Sequence, residues 1–155
     1  MTHEFRTAKQ QGALLLEALI GILLFSIGIL SVVALQATAM KEVTQAKMRS
    51  DAGQLANQLI GQIWANRSNA STYAYCSGTA PALLTAWISE VNARLPNSTT
   101  YKPCVQVVPT AYAGPPTYTA NAVTVTLSWQ MPDEYNRSPR PPAHSLTFST
   151  LIPCC

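Results

Sequence analysis

Few side chains in this 155-residue sequence are equipped for chemistry. The most reactive are four cysteines, Cys76, Cys104, Cys154 and Cys155, which suit either disulfide bonding or metal ligation. The Cys-x-x-Cys spacing of zinc sites is absent, and adjacent Cys154-Cys155 is poor chelate geometry. Disulfides are therefore expected, with no metal and no other cofactor. A bond within Cys154-Cys155 would strain the backbone, which leaves Cys76 and Cys104 each joined to one of that pair. Each closed loop would stabilise by roughly 3–4 kcal/mol.

Other chemistries find little material. His144 would need a serine and an acid beside it to act as a general base, and the sequence holds no Gly-x-Ser-x-Gly elbow. It reads as a loop-edge histidine. Arg137 and Arg140 sit among prolines and read as a solvated basic loop. Seven acidic residues are too few for a multi-carboxylate site, and Glu90, Asp133 and Glu134 show no clustering with His144. The net charge of +3 is too small and scattered for an electrostatic nucleic-acid footprint. No enzyme and no small-molecule substrate are expected.

Glu17 stands apart because of where it lies. Residues Ala13–Leu35 read ALLLEALIGILLFSIGILSVVAL, in which only Glu17, Ser26 and Ser31 are polar. About 20 apolar residues cross a bilayer core, so this stretch is expected to span a membrane as one helix. The preceding twelve residues carry Arg6 and Lys9 and should stay cytoplasmic, placing the remainder on the far side. A carboxylate one turn into such a helix costs about 2.5–3.5 kcal/mol on insertion scales. No cation follows it until Lys41. Cleavage between Gly12 and Ala13 would create one, a positive amine at Ala13 four residues away. Opposite charges about 4 Å apart gain roughly 4 kcal/mol at an effective dielectric of 20. Formed between neighbouring chains, that pair would fix the register of packed helices.

A short basic leader ending in Gly12, then Ala13-Leu14-Leu15-Leu16-Glu17 and an apolar helix, resembles the class III signal of the type IV pilin-like superfamily. The resemblance implies removal of residues 1–12 by prepilin peptidase, N-methylation of Ala13, and packing of the helix into a fibre core with other major and minor pilins. Methylation keeps the amine charged. Two departures are plain. The first mature residue is most often Phe in the family and is Ala13 here, and the mid-helix proline of major pilins is missing. Both suit a minor component. Phe25-Ser26-Ile27-Gly28, the segment Ala93-Arg94-Leu95-Pro96 and the later Val-Thr-Val-Thr-Leu-Ser-Trp run are similar to PilV-type minor pilins, the type IV pilus modification proteins. In that family a bridge commonly staples the last strand to the domain.

The elements follow a compositional divide. All 11 prolines lie between Pro81 and Pro153, so a long helix is expected first and a loop-rich domain after it. Residues 36–66 continue the helix amphipathically, with Val43, Ala46, Leu55, Leu59, Ile60 and Ile63 forming a stripe against a sheet. A second helix is expected over Pro81–Leu95, with Pro81 in its first turn and Pro96 ending it. Strands are expected over Tyr101–Val108, Ala122–Gln130 and His144–Ile152. In the second, Val123, Val125, Leu127 and Trp129 face inward, and Thr124, Thr126, Ser128 and Gln130 outward. Pro103 confines the first to an edge or a strand start. Pro109–Asn121 and Pro132–Ala143 read as loops.

The expected fold is α+β, a long N-terminal helix packed on a small antiparallel sheet, as in type IV pilins. Its divisions are a leader (1–12), a membrane or fibre-core helix (13–35), an amphipathic continuation (36–66) and a C-terminal domain (67–155). The expected role is a minor pilin in type IV pilus assembly in a bacterium. The chain would sit in inner-membrane lipid with its C-terminal domain periplasmic, and then enter the fibre. Alternatives are a minor pseudopilin of a type II secretion system and a signal-anchored periplasmic enzyme or binding domain.

Overall fold

The computed structural model describes residues 11–112 and 118–153. Helix α1 runs unbroken from Gln11 to Ala65, 55 residues, with no proline to interrupt its hydrogen-bond ladder. It is near the N-terminus and long and apolar enough to span a membrane. By internal contacts the chain divides into two units between Gln45 and Ala46.

In the first unit the side chains of α1 are exposed from Ala13 to Val43. In the second, a buried stripe of Ala52, Leu55, Ala56, Leu59 and Ile63 recurs every three to four residues, as a helix lying on a core requires. The stripe starts later than expected. Val43 and Ala46 are exposed, Met48 is the first residue packed against the core, and Ile60 is only half-buried. Helical spacing alone does not say where the partner surface begins.

After α1 a short 3-10 segment, Arg67–Tyr73, buries Ala70 and Tyr73. Pro81 was expected in the first turn of the next helix; instead it precedes that helix. Its carbonyl accepts the Leu84 amide at 2.9 Å in a 3-10 turn, Ala82–Leu84, which leads into α2 (Thr85–Arg94). Leu84, Trp87, Val91 and Leu95 are buried along one side, and Pro96 follows immediately.

Three antiparallel strands complete the second unit in the order β1 (Cys104–Tyr112), β2 (Tyr118–Trp129) and β3 (His144–Pro153). In β2, Val123, Val125 and Leu127 are fully buried and Trp129 nearly so. Leu146 and Phe148 of β3 pack against the core, and Ile152 is inside it. The Phe148 ring lies 3.7 Å from where a Gly53 Cβ would stand, an ordinary van der Waals distance, so β3 packs on α1 there without requiring a glycine. The α+β expectation of a long helix on a small antiparallel sheet is met.

Two strand boundaries depart from expectation. β1 continues through Pro109 to Tyr112 and β2 begins at Tyr118, so much of the expected 109–121 loop is a hairpin. Pro109 is tolerated because β1 is an edge strand, where a missing N–H breaks no ladder bond. The second departure is Gln130. It was expected to face outward and is instead fully buried just past the end of β2.

Candidate functional site

The residues singled out by the sequence fall into three places. The first is the apolar half of α1. Leu14, Leu15, Leu16, Leu19, Ile22, Leu23, Leu24, Phe25 and Leu30 are all at least 60% exposed, an apolar surface far beyond what a lone chain leaves to water. Its two serines are already satisfied. Ser26 donates to the Ile22 carbonyl at 2.7 Å and Ser31 to the Ile27 carbonyl at 2.9 Å, each one turn back. Thr38 and Thr44 repeat the arrangement at 3.2 and 2.8 Å. Such back-bonding hides hydroxyls from an apolar medium.

Glu17 has no such recourse. Among the described residues it accepts no bond from its own helix and no cation pairs with it. At about 100° per residue, Glu17 shares one face with Gly21, Leu24 and Gly28. A Cβ at either glycine would meet nothing within 4 Å. Close backbone approach by another helix is thus open on the side where the carboxylate stands. The Gly12–Ala13 junction lies in the first turn of α1.

The second place is the cysteine staple. Cys76 and Cys104 are bonded to each other across 28 residues. This corrects the expectation that each would join the 154–155 pair, and strand register supplies the reason. Cys104 is level with Thr126, which is level with Thr147 on β3. Pro153 is six residues further along, about 20 Å at 3.4 Å per residue. Disulfides require Cα atoms within about 7 Å. Cys154 and Cys155 themselves lie outside the described residues. Beside the bond, Tyr75 and Val105 exchange both backbone hydrogen bonds as an isolated bridge, so the segment after α1 is held to the outer edge of β1 twice over.

The third place is the segment between β2 and β3. Here Pro132–Tyr135 forms a single helical turn, α3. Glu134 accepts the Met131 amide at 3.3 Å, closing the turn, and its two carboxylate oxygens lie 3.0 and 3.2 Å from His144 Nε2. The His144 ring stacks on Trp129, centroids 6.0 Å apart. His144 and Glu134, which showed no clustering in sequence, therefore meet and clasp this segment to the start of β3. Arg140 lies 4.0 Å over the Tyr135 ring, and Arg137 is 3.6 Å from Asp133. Glu90 is elsewhere, paired with Arg94 at 2.7 Å. Among the described residues no group of three His, Cys, Asp or Glu side chains could hold a metal ion.

Sequence reasoning missed the residue that holds this region together. The Gln130 side chain accepts from Tyr101 Oη at 2.8 Å and donates to the Pro141 carbonyl at 2.7 Å. Its backbone N–H donates to the Pro96 carbonyl at 3.2 Å, and its carbonyl accepts from Asn97 Nδ2 at 2.9 Å. The available signal was Met131-Pro132 just after it, which ends the strand and with it the alternation. No family model, curated protein or solved structure gives a significant match to the chain.

Proposed function

We propose that the chain is a minor pilin of the PilV type, cut by prepilin peptidase between Gly12 and Ala13 and taking part in type IV pilus assembly. Glu17 carries the reading. It is the one polar side chain of residues 13–35 that its own helix does not satisfy, on a surface that is otherwise apolar and uncovered. A plain membrane anchor has no use for such a carboxylate.

In this reading the amine released at Ala13 answers Glu17. Within one subunit it stands at the helix start, where a carboxylate in the first turn also favours the dipole. Between subunits it pairs with the Glu17 of a neighbour and sets the axial register as the apolar helices bury one another. Before assembly the helix rests in inner-membrane lipid with the disulfide-stapled domain on the periplasmic side. A lone subunit keeps Glu17 unanswered, which favours transfer into the fibre.

The intact mass and first residue of the chain, isolated from its native membrane, test this. The expected result is a chain starting at N-methylated Ala13. A start at Met1 or Thr2 in cells with active prepilin peptidase would overturn the reading and leave an anchored domain.

A further inference from the structure

The two edges of the sheet differ. On the β1 side the chain covers itself: Tyr75 and Val105 exchange both backbone hydrogen bonds, Cys76 is bonded to Cys104, and Pro109 offers no N–H further along. On the β3 side, among the described residues, no strand or bridge pairs with the outer edge. β3 is ten residues long and pairs with β2 at every position from His144 to Pro153, without a bulge. From Ser145 to Ile152 it carries no charge and no proline, the usual means of blunting an open edge. Its backbone groups alternate in direction, so half of them face away from β2. The side chains are incompletely covered in the same way. In β2, with a neighbour on each side, Val123, Val125 and Leu127 are fully buried. In β3 the corresponding row of Leu146, Phe148 and Thr150 is only half-buried. On the opposite face Thr147 and Ser149 lie 3.2 and 3.1 Å from Thr126 and Thr124, hydroxyl to hydroxyl. We propose that the outer edge of β3 over Ser145–Ile152 is a docking site for an extended segment of another protein, added as a fourth strand.

The edge specifies the chemistry of its occupant. The segment is uncharged, because β3 offers no charge for it to meet between Ser145 and Ile152. It alternates apolar and hydroxyl side chains. The apolar ones finish covering Leu146 and Phe148, and the hydroxyls extend the Thr126–Thr147 and Thr124–Ser149 rows by one strand. A second copy of this chain fits poorly. Antiparallel pairing of β3 with its own copy needs a half-turn about an axis normal to the sheet. That turn also reverses the part of α1 packed on the sheet, Ala52–Ile63. Copies anchored by their N-terminal helices in one bilayer share one direction, so this pairing is closed to them. The same-direction alternative sets β3 against a neighbour's β1, since both run antiparallel to β2. It meets the Tyr75–Val105 bridge and the disulfide. A segment of another protein faces neither obstacle. The exclusion of a second copy rests on the membrane anchoring in the reading above; the open edge itself does not.

The test uses the full chain in detergent and a labelled synthetic peptide of alternating valine and threonine, flanked by lysines for solubility. Fluorescence anisotropy is expected to show saturable binding. Amide hydrogen exchange should slow by about tenfold or more at alternate residues of Ser145–Ile152, those whose N–H groups do not already bond β2. Two further peptides carry N-methyl groups on every valine or on every threonine. One series should lose affinity by at least about tenfold and the other keep it, because only one set of N–H groups faces β3. Equal binding by both series would exclude backbone pairing and overturn the proposal. So would absence of saturable binding, or protection at β1 instead of β3. Protection of β3 that rises with chain concentration in the absence of peptide would assign the edge to a second copy, and would overturn it as well. None of these outcomes depends on the residue at which the mature chain starts, so the docking site and the pilin reading fail separately.

Discussion

The Trp87 indole N–H donates to the Leu55 backbone carbonyl at 2.9 Å, inside the core, and so couples α2 to the buried stripe of α1. One residue thus supplies both apolar volume and a directional tie between two helices 32 positions apart. Trp87→Phe removes the tie and some volume. It is expected to lower stability by about 1–3 kcal/mol, read as a fall in the thermal midpoint by near-ultraviolet circular dichroism of the full chain in detergent. Trp87→Ala should lower it by about 3–5 kcal/mol.

Cys76→Ser with Cys104→Ser opens a loop closed across 28 residues. The expected loss is about 3–4 kcal/mol, measured by urea unfolding against the parent chain. The neighbouring Tyr75–Val105 bridge should survive in the folded state, because its two hydrogen bonds are backbone to backbone.

Replacing Gln130 with Leu leaves the Tyr101 hydroxyl and the Pro141 carbonyl without their present partner. A loss of about 1–3 kcal/mol is expected. Tyr101→Phe should cost less, and the two changes should couple by at least about 0.5 kcal/mol in a double-mutant cycle, since they share one contact.

Glu17→Leu is expected to leave leader cleavage intact while reducing surface piliation. Immunoblotting for the processed chain and counting of assembled fibres check the two arms separately. Normal piliation with stable, full-length variant protein would sink the pairing argument.

Much of the fold was legible because particular residues obey a simple period. Val123, Val125, Leu127 and Trp129 alternate, and all four are buried as that alternation requires. The apolar run from Ala13 has no proline, and it is helix throughout. What failed depended on partners that no local pattern encodes. Val43 has the right spacing to join the stripe, yet nothing covers it there. Pro109 looked like a loop residue because its position on a sheet edge is a property of strand order. The cysteine pairing was misjudged because elimination ignored register, which sets Cys104 and Pro153 at different levels of the sheet. Glu17 was found because a charge in an apolar run is conspicuous. The Glu134–His144 clasp was not, because the nine residues between its halves carry no period that would bring them together.

The uneven cover along α1 makes amide hydrogen exchange a reporter of where the chain resides. Amides around Ala52–Ile63 lie under buried side chains and should exchange only when the domain unfolds as a whole. Those from Leu14 to Leu35 have the same backbone bonds but no side-chain shelter of their own, so in water they open locally. Lipid or neighbouring helices would slow them by excluding water. The ratio of the two rates would thus distinguish a bare chain from one whose apolar half is covered, without any label.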